Sequence, residues 1–294
     1  MKFSRAAIAA TTLSLGAVVT GALVTPAAAA DTITVCAAAT ECDHTTIQAA
    51  VNAAADGDTI TVTGPLTVAG TTTVDKDVTV AGAAGAIVTQ TASAITFLIT
   101  GEGATLSDLT ITSDTPKAGE FVQIGADEVT LTANTIYGPE QALPMSGWVG
   151  NRAFVTQGGI SGFTATDNTI HSLRSGAYLN PNGSGTIADN TLYDTKGDFL
   201  IDNANFTFTG NQAGDPSQPS EWSFVIFANT APARYPSVAA LSSANNSMTV
   251  WDQRTGEKYV VPTTADDCKD GGWKDLDPGF RNQGQCLKFV NTGK

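Results

Sequence analysis

A chain of 294 residues with 28 acidic side chains against 15 basic ones carries a net charge of −13. Such a surface repels nucleic acid and anionic membranes at long range, which argues against both as partners. It also disfavours polyanionic glycans, unless a local basic patch or a bridging cation offsets the repulsion.

The N-terminus has the order of an export signal. Lys2 and Arg5 are followed by an apolar, small-residue run from Ala6 to Val24, then Pro26 and the cleavage-like Ala27 to Ala30. No later stretch approaches the ~20 apolar residues that span a bilayer, so the expectation is a secreted, extracellular, monomeric protein with no membrane insertion. Removing residues 1–30 takes away two of the 15 basic residues and none of the 28 acidic ones, leaving 264 residues and a net charge of −15. Four cysteines fall in two local pairs, Cys36 with Cys42 and Cys268 with Cys286. In an oxidising compartment these read as two disulfides. A zinc site is the competing reading, disfavoured because there is no paired C-x-x-C and only His44 and His171 are at hand.

One helix is predicted, over Thr45 to Ala55, where Ile47, Ala50, Val51 and Ala54 make a single apolar stripe. Asp56-Gly57-Asp58 ends it. The chain then reads as short strands rich in Thr and β-branched residues: Thr59–Val62, Val78–Val80, Leu106–Ile111, Val129–Ala133 and Phe163–Thr166. They repeat. A polar residue followed by a short strand recurs at Asp108, Asn134, Asn168 and Asn190, with Asn211 as a degenerate copy, at intervals of 26, 34, 22 and 21 residues. A coil of three short strands and three corners takes about 20–25 residues, so each interval is one coil and the longest holds an inserted loop. Asn suits such a corner because it tolerates left-handed geometry and its amide can bond backbone that the ladders leave unpaired.

The run from Thr45 to Val51, through Ala55 to Val62 and on to Val74-Asp75-Lys76-Asp77-Val78-Thr79-Val80-Ala81-Gly82, resembles the entrance of pectinesterases and other pectin-lyase-like proteins. There a short helix caps the open end of the coil stack. The resemblance implies an all-β fold, a single-stranded right-handed parallel β-helix with a short N-terminal capping helix. With the export signal and the cysteine pairs, the chain is expected to divide into a signal peptide (1–30), the β-helix domain (31–262) and a cystine-closed tail (263–294), which resembles one recurring in secreted proteins. Activity does not follow, since the fold serves lyases, hydrolases, esterases and inactive binders.

The resemblance also implies that a ligand lies on the strands at 121–124, 153–156, 177–180 and 199–202 and against the loops before them, 114–120, 138–151, 172–176 and 194–198. Polar residues expected there are Glu120, Gln123, Arg152, Arg174, Asn180, Asp198 and Asp202, with Trp148 in the inserted loop placed to stack on a sugar. Arg beside carboxylates suits a uronic acid. Asp198 and Asp202 with Arg174 form the candidate catalytic set, as acid and base. No cofactor is expected, although paired Asp residues also suit Ca²⁺. Departures from the family weigh against catalysis. The pectinesterase Q-D-T stretch is matched only by Glu140-Gln141-Ala142. The second, D-F-I-F-G, is resembled by Asp198-Phe199-Leu200-Ile201-Asp202 one coil late. The polygalacturonase and pectate-lyase motifs are missing.

The favoured reading is binding of an extracellular polysaccharide or cell-surface glycan through the sheet and loops around Arg174 to Asp202. The alternative is a polysaccharide lyase or glycoside hydrolase. A third, ice binding, needs a flat regular Thr-x-Thr array. Pairs such as Thr59/Thr61 and Thr130/Thr132 are expected at different corners or ends, which disfavours it.

Overall fold

The computed structural model describes residues 30–292 except 39, 263, 275, 277 and 278. The export signal, read over 1–30, therefore lies outside the described residues but for Ala30. No described helix is long and apolar enough to cross a membrane.

Strands wind into a parallel solenoid. One side is an eight-stranded sheet made of Thr32–Val35, Thr59–Val62, Thr79–Gly82, Thr105–Ser107, Thr130–Thr132, Phe163–Thr166, Ser184–Ala188 and Asn205–Thr209, each paired with the next in parallel. The other sides belong to a second, fourteen-stranded sheet. Its two ladders merge in two long strands, Thr169–Leu179 and Thr191–Ile201, which pair along their whole length. Side chains alternate. Ile60, Val80, Leu106, Leu131, Ala165, Ile187 and Phe208 point inward and are buried, while the flanking Thr residues face out. At the C-terminal end of the stack the interior is filled by rings, with Phe199 stacked on Phe224 at 5.1 Å and Phe208 edge-on to Phe224 at 5.1 Å.

The expected capping helix forms as α1, Ile47–Ala53. The Thr46 hydroxyl accepts from the Ala49 N–H at 3.2 Å, and Ile47, Ala50 and Val51 cover the open end of the core. Its other terminus is closed by Lys76, whose ammonium donates to the carbonyls of Val51, Asn52 and Ala54 at 2.8, 3.1 and 2.5 Å. A cation there satisfies orphan carbonyls and suits the helix dipole. Two further helices were not predicted. In α2, Val238–Ala244, Ser237 caps the start and Val238 and Leu241 are buried against the last coils. The tail carries α3, Gln283–Thr292, which holds Cys286. Both disulfides form, Cys36–Cys42 and Cys268–Cys286, with Cα–Cα distances of 5.8 and 5.7 Å.

The corner asparagines make a continuous internal ladder. Asn134, Asn168, Asn190, Asn211 and Asn245 are all buried. Each side-chain carbonyl from Asn168 onward accepts from both the backbone N–H and the side-chain amide of the Asn one coil earlier. Their amides also donate to strand carbonyls such as Leu106, Leu131, Ala165 and Ile187. Two corrections follow. Leu109, not Asp108, occupies the first rung, its N–H donating to the Asn134 Oδ1 at 3.0 Å. Asp108 instead sits one residue earlier at φ +55, in the left-handed position shared by Ala133, Asp167 and Asp189. That site is exposed and tolerates a charge, whereas the ladder position would bury one. The ladder also runs past the region where the repeat fades, because α2 takes the place of a strand and still delivers Asn245.

Two other expectations fail. Residues 172–176 and 194–198 are not loops. They lie inside the long strands, bent by a single left-handed residue at Ser172 and Asp194 (φ +55 and +51) without loss of pairing. And Thr59/Thr61 and Thr130/Thr132 do not lie at different corners. They occupy the same two rows of the eight-stranded sheet.

Candidate functional site

Across the other flank of the same coils runs a groove of about 510 Å³. Its floor is a row of outward positions in register, Tyr178, Leu200, Val225 and Trp251, which Val155 continues beyond the groove, with Lys258 beside Trp251 on a final antiparallel strand. A second row aligns Glu120, Arg152, Ser175 and Gly197. Arg152, Arg174, Ser175, Tyr178, Lys196 and Gly197 line the groove together with Glu221, Trp222, Phe227, Trp251 and Gln253.

The rings are fixed by their neighbours. Trp222 and Trp251 lie with centroids 5.9 Å apart, and the Lys258 ammonium sits 5.7 and 5.8 Å from the two rings. Tyr178 carries the Arg152 guanidinium 5.3 Å from its ring centroid and packs edge-on to Phe227. Its hydroxyl donates to Asp202 Oδ2 at 2.9 Å. Burial first, and then the Asp202 carboxylate, push the Tyr178 phenol up, so it stays a neutral donor. Arg174 donates from Nη1 to the carbonyls of Trp148 (2.9 Å) and Ser146 (3.3 Å), tying the 138–150 loop to the groove edge. The Arg152 Nε is buried without a hydrogen-bond partner. Lys196 and Glu221 face each other at 3.8 Å, both partly solvated.

The sequence-predicted residues are only partly brought together. Arg152 and Arg174 line the groove. Glu120 lies beside Arg152 in register but opens onto a separate small cleft, and Gln123 sits on the strand beyond Val155. Asn180 is used structurally, its amide donating to the Thr156 carbonyl at 2.6 Å. Trp148 is buried, with its indole N–H donating to the Ala142 carbonyl at 3.0 Å, so it packs the loop and presents no face to a sugar. Asp202 holds Tyr178 and accepts from the Asn229 amide at 2.5 Å. Arg174 stands on a strand, not on a loop.

Asp198 departs furthest from expectation. It is fully buried inside the coil, where Oδ1 accepts from the hydroxyls of Thr195 (2.8 Å) and Ser220 (2.6 Å) while Oδ2 has no partner. Desolvation pushes its carboxyl up to about 7, against the opposing hydroxyl bonds of Ser220 and Thr195. Asp198 and Asp202 therefore share no cleft as an acid–base pair or as ligands for one cation. Lys196 and Leu200, two residues either side, line the groove, so strict alternation would place Asp198 there too; the strand breaks that alternation at Asp198, where Asp198 and Phe199 are buried in succession. The residues that sequence reading missed are Tyr178, Lys196, Glu221, Trp222, Trp251, Gln253 and Lys258. Trp222 and Trp251 border recognisable strands, and that was the available signal.

A family model described as a right handed beta helix region matches residues 93–220. Searches of curated proteins and of solved structures returned no significant match. The matched stretch covers the Asn ladder from its first rung to Asn211 and both long strands, so the model and the coils agree on the same segment. The chain folds as a right-handed parallel β-helix, consistent with a pectin-lyase-like fold.

Proposed function

We propose that the protein is secreted and binds an acidic extracellular polysaccharide along the groove without cleaving it. One observation carries this reading: in a chain of net charge −13, Arg152, Arg174 and Lys196 line one groove with four aromatic rings, opposed there by Glu221, and Lys258 sits over two of those rings. That is the local basic patch which a polyanionic glycan requires of an acidic protein. Rings provide flat apolar faces for sugars, and guanidinium groups pair with uronate carboxylates. Asp198 has the proton affinity of a general acid. Its burial beneath the groove floor removes it from a bound glycosidic bond, which favours binding over hydrolysis.

The test is a panel of acidic and neutral polysaccharides against the purified protein, read by binding and by the ultraviolet absorbance of unsaturated uronide products. Binding confined to acidic chains, weakened by Arg152→Ala, with no product, is the expected result. Product formation assigns an enzyme. Absence of binding to every polyuronate overturns the reading. Secretion is tested separately, by N-terminal sequencing of culture supernatant, which is expected to begin at Asp31.

A further inference from the structure

We propose that the threonine face of the eight-stranded sheet binds ice. Eight threonines stand in one unbroken row: Thr32, Thr59, Thr79, Thr105, Thr130, Thr164, Thr186 and Thr207. Two positions along each strand runs a second row of Thr34, Thr61, Ala81, Ser107, Thr132, Thr166, Ala188 and Thr209. The backbone fixes the mesh, about 4.8 Å between strands and about 6.7 Å along them, so the first row is roughly 34 Å long.

Three independent features say what this mesh faces. First, none of the eight strands contains a charged residue, although the chain has 43; a carboxylate meets the array at its N-terminal edge, where Asp43 accepts from the Thr34 hydroxyl at 2.7 Å. Ions hold hydration shells of their own and would disorder water at the surface. Second, the aromatic residues of these strands, Phe163, Phe206 and Phe208, are all buried, so no ring is offered to a sugar face, in contrast to the groove. Third, the 138–150 insertion leaves from the opposite flank, beside Arg174, and the corner next to the threonine sheet is pinned coil to coil by the Asn ladder. Such side-chain ladders hold strands in register against twisting.

The chemistry fits a lattice of water. A threonine hydroxyl donates and accepts, as each oxygen at an ice surface must, and the methyl beside it is small and apolar. The β-branch restricts χ1, so the hydroxyls are pre-positioned and binding freezes out little side-chain freedom. Neighbouring rungs already share one such bond, Thr132 Oγ1 to Thr166 Oγ1 at 3.0 Å. A periodic array gains nothing from a single small ligand; its contacts add only against a partner that repeats.

The test freezes a dilute solution of the labelled protein slowly onto a polycrystalline ice surface and measures its partition between ice and liquid, alongside inhibition of ice recrystallisation. Wild type is expected in the ice fraction. Thr130→Lys and Thr164→Lys, at mid-array and half-exposed, are expected to fall to the level of a non-binding protein with unchanged circular dichroism and melting point. Gln218→Lys, exposed on the loop flank, is expected to partition like wild type. Exclusion of wild type from ice overturns the proposal, and so does full partition of both threonine variants. Binding to crystalline cellulose or chitin that Thr130→Lys removes, with no ice uptake, also overturns it and reassigns the face to a polymer. Polyuronate binding in the groove is read independently of all these outcomes.

Discussion

Two flanks of one solenoid use the same backbone in opposite ways. On the threonine flank every strand repeats nearly the same side chains, and the surface has a period but no landmark. On the groove flank no two successive strands agree: Val155, Tyr178, Leu200, Val225 and Trp251 follow one another in a single row. Repetition suits a partner that is itself a lattice; variety suits one that must be recognised at a single place. What allows the two to coexist is the interior. Buried aliphatic residues and the Asn ladder satisfy the coil, and the outward positions carry little of the folding energy.

The sharpest way to break this comparison is to damage the shared interior. Asn168→Ala strands the Asn134 N–H, the Leu131 carbonyl and one bond each of the Asn134 and Asn190 side chains. We expect a loss of about 3–5 kcal/mol by chemical denaturation, together with both surface activities. An effect on one flank alone would show that the flanks are not coupled through the ladder.

The second largest effect concerns pH. Asp198 has a folded-state carboxyl raised from its ordinary value to about 7. The stability contributed by its neutral form is fully present below the ordinary carboxylate range, and is lost as pH rises from about 4 through about 7. The upper limit is about 4 kcal/mol across that window. Asp198→Asn keeps the acceptor for Thr195 and Ser220 and removes the charge, so the difference in unfolding free energy between variant and wild type is expected to grow in the variant's favour with rising pH. Parallel curves would mean that the carboxyl ionises freely in the fold.

The disulfides come next. Replacing Cys36 and Cys42 together by Ser, or Cys268 and Cys286 together, is expected to cost about 2 and about 3 kcal/mol from their short loops, with the coil stack intact by circular dichroism. The smallest stability effect and the cleanest separation of the flanks is expected from Trp251→Ala. It removes one of the two rings beneath Lys258 and weakens polyuronate binding by about tenfold, or 1.4 kcal/mol. Ice partition is unaffected if the flanks act separately.

The fold was legible because its signals are local and repeated. The stripe of Ile47, Ala50, Val51 and Ala54, the Thr-rich strands and the corner Asn residues each follow from neighbours in sequence. The first ladder rung was misplaced by one residue because Leu109 performs with its backbone alone what later rungs do with an amide. Asn245 was out of reach because the chain arrives there through α2, not through a strand. Site residues were harder. Arg152 and Arg174 could be placed by coil counting, but a local break in strand alternation, with Asp198 and Phe199 buried in succession, puts Asp198 in the core between two groove residues, Lys196 and Leu200. The threonine rows show the same limit. Each Thr-x-Thr pair is visible in sequence, yet their alignment depends on intervals of 20 to 34 residues between rungs, and only the folded register brings those to one face.

The coil itself has a further consequence. The 22 residues from Asn168 to Asp189 begin on one ladder amide and stop just short of the next. A tandem duplication of this stretch inserts one complete turn, with its own amide, its own threonine rung and its own groove strand. Both surfaces then lengthen together by about 4.8 Å, and neither end cap is disturbed. Reach in this molecule is thus a quantity that changes in whole notches, and one coil, 22 codons at this position, is the step that moves it.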